Sequence, residues 1–313
     1  MLLPYCILLR AGSLFPDIRS LDITSHCTDD WGSTIDQLIP NGLVQSIIAI
    51  ILIFLQGVLL NHIVNKHRMT AVATLFPGML YIMLTSIFLE NLTLTQYTIG
   101  NGICLLSIGN FIDTYKKYKP ETELFMSGFW CSLAVICSPI YGLLLIPLVA
   151  AFLFLRSFNL KELLQIIVGL ISGAIIISSI HYFLKTEGHT LSYFSHHFTT
   201  VSIVSNLYVL GFLIFIVLLL LMSIFSFQKF QIKKSLPVRK KLSVMYIMLA
   251  SSLGIVVMTC MLNLNIFYYL WIPMAYFMSM LIIDYRKLMI AEILHMICIA
   301  LIINNHFNFY TLF

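Results

Sequence analysis

The sequence predicts an all-α protein, a polytopic bundle of transmembrane helices with about eleven membrane segments. Its 313 residues are 60% hydrophobic and 10% charged, and the mean hydropathy is +0.96, whereas a soluble domain carries about 25% charged residues. The apolar residues are grouped in runs, many of them close to the roughly 20 residues that cross a bilayer as a helix. No hydrophilic stretch is long enough for a soluble domain, so residues 1–313 are expected to form a single transmembrane domain.

The apolar runs define the segments in chain order. Residues 1–15 are apolar although Arg10 interrupts them, and no small-residue cleavage site follows, so they are predicted as a helix rather than a signal peptide. A polar loop over 16–42 comes next, and the third segment contains Pro77 and Gly78. The predicted segments lie at about 1–15, 43–64, 69–89, 97–112, 123–137, 140–155, 163–183, 207–227, 242–260, 266–283 and 288–304.

The stretch 123–155 is predicted to be a hairpin of two short helices, 123–137 and 140–155. Its 33 residues are too many for one comfortable crossing and too few for two. Ser138 and Pro139 in its middle break a helix, and both of its ends are basic. Proline at membrane depth is tolerated where the freed backbone groups are buried in protein or line a watery cavity. We therefore expect an interior around the hairpin tip.

The distribution of basic residues predicts the orientation of the chain. The loops 65–68, 113–122, 156–161, 228–241 and 284–287 hold 15 of the 18 Lys and Arg residues. Loops rich in Lys and Arg stay in the cytoplasm, so we expect a cytoplasmic N-terminus and a periplasmic C-terminus in a bacterial inner membrane. Because the positive charge lies in these short loops, it indicates contact with membrane lipid and not with nucleic acid.

Three carboxylates in the first outer loop are candidate catalytic residues: Asp22, Asp29 and Asp30. A carboxylate there could act as a general base, or hold a divalent metal beside a phosphate. The alternative is a solvated acidic loop, because nothing in the spacing is specific to a site. No metal site or other cofactor is identified from the sequence, although a divalent metal could assist.

Three histidines in the other long outer loop are candidate substrate-binding residues: His189, His196 and His197. They could grip a phosphate, but adjacent histidines point in different directions on a helix and do not easily share one metal ion. The aromatic residues between them favour the alternative of a helix lying at the membrane interface. Glu292 and His295 also stand one turn apart, either as a functional pair or as hydrogen-bond partners near the interface.

The signature motifs of several enzyme classes are absent from this sequence. There is no G-x-x-x-x-G-K-[ST] phosphate loop, no G-x-S-x-G elbow and no H-E-x-x-H pair. The sequence therefore gives no support to an ATPase, a serine hydrolase of that type or a zinc peptidase.

The central hairpin resembles that of the GT-C superfamily of polyprenyl-phosphate-sugar-dependent glycosyltransferases. Gly128, Ala134, Pro139 and Arg156 match its small-residue helix, its tip and its return helix, with Ser138 where lysine is common. The resemblance implies a lipid-linked sugar bound under the tip. By the same resemblance, the catalytic carboxylate of the first outer loop would be one of the three aspartates.

Substrate binding at the tip is expected at Ser138 and Tyr141 in addition to the three histidines. Over most of its length the chain also resembles a family of Bacteroidota inner-membrane proteins of unknown function. Three segments carry that likeness: NHIVNKHRMT at 61–70, NFIDTYKKYKPE at 110–121 and the RSFNLKE exit of the hairpin at 156–162. This second resemblance implies a Gram-negative inner membrane.

Three hypotheses for function follow. The first is a GT-C-like protein of envelope-glycan assembly that transfers sugar from a polyprenyl-phosphate donor on the periplasmic side. The second is a non-enzymatic scaffold or accessory subunit of an envelope complex, with a cytoplasmic partner at the Lys229–Lys241 loop. The third is a flippase or carrier for a lipid-linked substrate.

Overall fold

The computed structural model of the chain is all-helical over the residues it describes. These are 2–14, 38–70, 72–87, 92–137, 141–142, 145–155, 159–183, 221, 234–259, 267–285, 292–293, 295–300 and 302. Within them the α-helices are α1 Leu2–Leu9, α2 Gly42–Lys66, α3 Phe76–Thr85, α4 Gln96–Asp113, α5 Glu121–Cys137, α6 Leu145–Leu155, α7 Leu160–Phe183, α8 Leu236–Thr259 and α9 Phe267–Tyr285, and a 3-10 turn at Ala11–Leu14 follows α1.

The helical class is confirmed, but a bundle of eleven spans is not. Among the described residues one helix, α2, is both long and apolar enough to cross a membrane unaided. Shorter apolar helices lie at Phe76–Thr85, Leu145–Leu155 and Leu270–Ile283. The predicted segment at 207–227 lies almost wholly outside the described residues.

The third helix begins later than predicted. The sequence predicted a helix over 69–89, whereas α3 starts at Phe76 with Pro77 in its first turn. Proline lacks an N–H and is suited to the start of a helix. The preceding loop is held instead by Asn65 of α2, whose side chain donates to the carbonyl of Thr74 at 3.2 Å and accepts from its N–H at 3.3 Å.

Helix α9 is the centre of the described core. From Leu270 to Met280 it is buried on every side, Trp271 and Tyr276 included, with the helix continuing through Pro273. It packs against α3, α4 and α8, while α2 packs against α3 and α4. A helix that is apolar all round belongs in the interior of a large assembly of helices, which is where α9 lies.

Helices α5 and α7 run parallel with their backbones in close contact. A Cβ on Gly128 of α5 would lie 2.3 Å from the carbonyl oxygen of Ile166, and one on Gly169 of α7 would lie 2.2 Å from that of Phe125. Small residues permit this approach between membrane helices. Two separate helices, Glu121–Cys137 and Leu145–Leu155, flank the predicted tip, and the parallel course of α5 and α7 fits a chain that goes out and returns between them, while the hairpin itself stays a prediction.

The exposed sides of several helices are apolar. Helix α2 exposes Ile47, Ile51 and Leu55 along one side, and α7 exposes Val168 and Ile171 among others. A contiguous apolar surface of this kind is unfavourable in water and favourable in lipid. This surface fits helices that contact lipid.

Candidate functional site

Most of the residues predicted for the site lie outside the described part of the chain. This applies to Asp22, Asp29, Asp30, Ser138, His189, His196 and His197. Their catalytic and substrate-binding roles stay predictions. Tyr141, close to the predicted tip, is described. Its contacts lead to a group of buried polar side chains.

Tyr141 fastens the hairpin to the first residues of α4. Its side chain is 1% exposed, and its hydroxyl lies 2.8 Å from Asn101 Oδ1 and 3.0 Å from the carbonyl oxygen of Tyr97. Both partners are acceptors, so they share the single proton of the hydroxyl. The structure therefore gives Tyr141 an anchoring contact, while its predicted contact with substrate stays untested.

The anchor is one end of a buried polar network that joins four parts of the chain. The Asn101 side chain also bonds to Tyr81 of α3, and the Tyr81 hydroxyl donates to Gln56 Oε1 of α2 at 2.6 Å. The Gln56 amide in turn donates to the carbonyl of Thr98 at 2.7 Å. Since buried polar groups are costly unless they find partners, this network specifies how α2, α3, α4 and the segment around Tyr141 dock.

Two glycines on α4 make room for the network. A Cβ on Gly100 would lie 2.3 Å from the ring of Tyr141, and one on Gly102 would lie 2.9 Å from Gln56 Nε2. They flank Asn101 in the sequence. The Gly-Asn-Gly run is therefore explained by the close approach of an aromatic ring on one side and an amide on the other.

A buried arginine adds a positive charge on the other side of Tyr81. Arg10 is 0% exposed, and its guanidinium donates to Ser86 Oγ at 3.2 Å and to the carbonyl of Thr85 at 3.3 Å. Burying a charged group is costly, so this buried guanidinium is a functional candidate. The sequence analysis had treated Arg10 only as an interruption of the first apolar run.

The network can hold the helices in position relative to one another, but its own side chains offer no strong acid or base. Gln56, Tyr81, Asn101 and Tyr141 are all neutral at physiological pH. In the part of the chain that the structure describes, no group of three or more His, Cys, Asp or Glu side chains is placed to hold a metal ion. The predicted outer-loop carboxylates stay the candidates for acid–base chemistry.

A second polar site lies where α2 and α4 end and α8 begins. His67 Nε2 is 3.2 Å from Asp113 Oδ1, and Lys66 Nζ is 2.7 Å from Asp113 Oδ2. On its other side His67 Nδ1 lies 2.8 Å from Lys241 Nζ. The ammonium can only donate, so Nδ1 accepts, and Nε2 carries the proton that is donated to Asp113.

This arrangement keeps His67 uncharged. The ring is 7% exposed, and burial, followed by the adjacent Lys241 ammonium, lowers the pKa of His67 to about 4 against the opposing effect of Asp113. Burial also lowers the pKa of Lys241. A neutral imidazole can therefore join the lysine of α8 to the aspartate of α4.

Lysines from two distant segments meet over one aromatic ring beside this chain of contacts. Lys116, Lys240 and Lys241 each place Nζ 5.9 Å from the centroid of the Tyr115 ring. This is within the range of a cation–π contact. We call these three lysines, together with Lys66, the basic cluster.

The basic cluster corrects one boundary. Residues 228–241 were predicted to be a loop, but α8 begins at Leu236 with Pro237 in its first turn, so Arg239, Lys240 and Lys241 are helical. The predicted partner-binding segment Lys229–Lys241 is described only from Lys234 onward.

His295 has a partner different from the one considered in the sequence. Its Nε2 lies 2.9 Å from the hydroxyl of Tyr5, with the two rings stacked at 6.0 Å, while Glu292 is exposed. The N-terminal helix is thus fastened to the last described helical segment. Of the described side chains, Tyr5 and not Glu292 is hydrogen-bonded to Nε2 of His295.

An apolar cavity of about 110 Å³ separates the return helix of the hairpin from α7. Its walls are Leu145, Val149, Phe152, Leu163, Ile166, Ile167 and Leu170. With no polar group in its lining, this cavity suits a hydrocarbon chain better than a sugar or a phosphate.

No family model, curated protein or solved structure matches this chain.

The sequence analysis missed the buried network and the convergence of the lysines. Gln56 and Asn101 did carry a signal, because each is an amide inside an apolar run, where polar residues are rare and require partners. The identity of those partners depends on helix packing, which the sequence alone does not provide.

Proposed function

We propose that this chain is a multi-pass protein of a bacterial inner membrane that acts in envelope-glycan assembly. In this proposal it transfers a sugar from a polyprenyl-phosphate donor on the periplasmic side, in the manner of GT-C enzymes. The apolar exposed faces of α2 and α7 support multiple membrane crossings. The basic loops support a cytoplasmic N-terminus and a periplasmic C-terminus.

The observation that carries the proposal is the anchored hairpin. Helix α6 has 11 residues, about 16 Å at 1.5 Å per residue, which is roughly half of a bilayer core. Tyr141, two residues after the predicted tip, is hydrogen-bonded to Asn101, and in this proposal the donor sugar binds above the tip. The apolar cavity beside α6 supports a place for part of a prenyl chain.

In the proposed reaction, an acceptor hydroxyl attacks the anomeric carbon of the lipid-linked sugar and the lipid phosphate departs with the bonding electron pair. One carboxylate among Asp22, Asp29 and Asp30 takes the proton of the acceptor. Ser138 and the three outer histidines are proposed to contact the sugar-phosphate. A divalent metal could neutralise the leaving phosphate there.

The test is mass spectrometry of lipid-linked and surface glycans in a strain that lacks the protein. We expect a truncated lipid-linked glycan, one sugar short, to accumulate, and the wild-type chain to reverse this. A variant with Asp22, Asp29 and Asp30 all changed to Asn should fail to reverse it. The control changes Asp17 and Asp36 of the same loop to Asn and should behave as wild type. An unchanged glycan profile would refute the enzymatic proposal.

A non-enzymatic accessory subunit is the second candidate, because the exposed start of α8 offers a basic surface to a cytoplasmic partner. Purification in a gentle detergent distinguishes it. A stoichiometric partner lost on changing Lys234 and Lys240 to Gln would support this candidate, whereas a single monodisperse protein would count against it. A carrier for the lipid-linked substrate is the third candidate, and it predicts accumulation of the complete substrate on the cytoplasmic side.

A further inference from the structure

We propose that the basic cluster is a binding site for a multiply charged phosphate group. The site lies at the end of the molecule where α2 and α4 finish and α8 starts. It is separate from the hairpin tip, and the inference does not depend on the proposed glycosyl transfer.

The first argument is the imbalance of charge. The cluster holds four ammonium groups, and both oxygens of its one carboxylate, Asp113, are already bonded to Lys66 and His67. Among the described residues no carboxylate lies within ion-pair distance of Lys116, Lys240 or Lys241. In the described part of the chain these three therefore make no direct ion pair, and Asp113 reaches Lys241 only through His67.

The second argument is geometric. Each of the three ammonium groups is 5.9 Å from the same ring centroid, so no two of them are more than 11.8 Å apart, twice that distance. Orientation of the chain in a membrane requires only that the loop be basic. It does not require lysines 124 positions apart, at 116 and 240, to converge on one aromatic ring.

The third argument comes from the backbone. Lys116 has φ +61° and Arg68 has φ +51°, the left-handed region that helices use for their terminal residue and normally fill with glycine. The chain places a long cation at each of these positions: Lys116 belongs to the cluster, and Arg68 follows its member Lys66 by two residues. Residues held in such conformations are found most often at functional sites.

Together these features select a phosphate-bearing ligand. Lysine binds phosphate as a point charge that can approach from any direction, and several lysines around one centre fit a group with more than one negative charge. The ring of Tyr115 is shared by the ammonium groups, and the partly buried Lys241–His67–Asp113 contacts hold the helix ends that carry them. The phosphate could belong to an anionic lipid headgroup or to a soluble ligand.

The test uses the full chain in neutral detergent with inorganic pyrophosphate as the soluble probe. The cluster variant combines Lys116→Gly with Lys240→Gln, and the control combines Lys117→Gln with Lys119→Gln, which removes the same amount of charge from the loop that carries Lys116. The cluster variant should bind pyrophosphate at least tenfold more weakly, whereas the control should change less than twofold. Because glycine is at ease at φ +61°, the melting temperature of Lys116→Gly should be unchanged or raised, so lost binding cannot be ascribed to unfolding.

The lipid source is tested by native mass spectrometry of the same proteins with phosphatidylglycerol and phosphatidylcholine. Selective retention of phosphatidylglycerol by the wild type and by the control, but not by the cluster variant, supports a headgroup site. Selective loss of pyrophosphate binding supports a soluble ligand. The proposal is overturned if neither probe binds, or if the two variants lose binding equally, because the effect would then be one of net charge only.

Discussion

Changing Gly100 to Ala tests whether the Tyr141 anchor holds the hairpin in place. Alanine is a better helix former than glycine by about 1 kcal/mol, so in an open position of α4 the change would stabilise. Here the new Cβ would lie 2.3 Å from Cε2 of Tyr141 and 2.8 Å from Cζ. Ordinary contacts between such atoms begin near 3.4 Å, so either the ring or the helix must shift by about 1 Å.

Both ways of relieving this contact are unfavourable. If the ring moves, Asn101 Oδ1 and the carbonyl of Tyr97 lose the hydroxyl donor at 2.8 and 3.0 Å, and an unsatisfied buried group costs about 1–3 kcal/mol. If the helix moves instead, overpacking costs about 1–3 kcal/mol. We therefore expect Gly100→Ala to destabilise the protein by about 1–2 kcal/mol after the gain in helix propensity is deducted.

The assay is unfolding in mixed micelles, followed by circular dichroism, for a double-mutant cycle. In the Tyr141→Ala background the ring is absent, so adding Gly100→Ala should be neutral or stabilising by up to about 1 kcal/mol, which gives a coupling of about 1–3 kcal/mol. Gly254→Ala is the matched control, because its Cβ would meet nothing within 4 Å. If Gly100→Ala proves as stable as Gly254→Ala in the wild-type background, the anchoring argument is wrong.

Three further changes test other contacts. Gly169→Ala should destabilise the protein by about 1–3 kcal/mol, since its Cβ would lie 2.2 Å from the Phe125 carbonyl oxygen. Unchanged thermal unfolding would contradict the close α5–α7 contact. Asn61→Leu should cost about 1–2 kcal/mol by removing the acceptor 2.7 Å from the Gly78 N–H, and a wild-type unfolding curve would exclude this cap. The folded pKa of His67, about 4, lies below its ordinary 6.5. The unfolded chain therefore takes up the proton first as pH falls, and up to about 3 kcal/mol of stability present above pH 6.5 is lost toward pH 4. His67→Gln should flatten that loss, and an identical pH dependence of unfolding in the variant would contradict a neutral His67.

The sequence predicted best what depends on composition and local pattern. Helices α2 and α4 begin and end within two residues of the predicted bounds, because apolar runs and polar flanks determine them. The end of α5 at Cys137 could be predicted because Ser138 and Pro139 follow it, and proline disrupts a helix. The lysines at 116 and 240 were correctly expected to share a face, since the bias of basic residues toward one side acts on every loop.

What could not be predicted depends on contacts between distant residues. The start of α3 is fixed by Asn61 and Asn65, whose side chains bond to the N–H of Gly78 and to the backbone of Thr74 from another helix. No local sequence pattern around residue 76 predicts these contacts with Asn61 and Asn65. The docking of the hairpin likewise requires Tyr141 and Asn101 to meet across 40 positions, so the amides in the apolar runs could be noticed but not paired.

The two polar sites lie at different depths along the same helices. Asn101 of the network and Asp113 beside the basic cluster are twelve residues apart on α4, which is about 18 Å at 1.5 Å per residue. That separation is more than half of a bilayer core of about 30 Å, so one phosphate cannot reach both sites at once. A ligand bound at the basic cluster would therefore not contact the buried network. Loss of phosphate binding at the lysines should leave the coupling energy between Gly100 and Tyr141 unchanged.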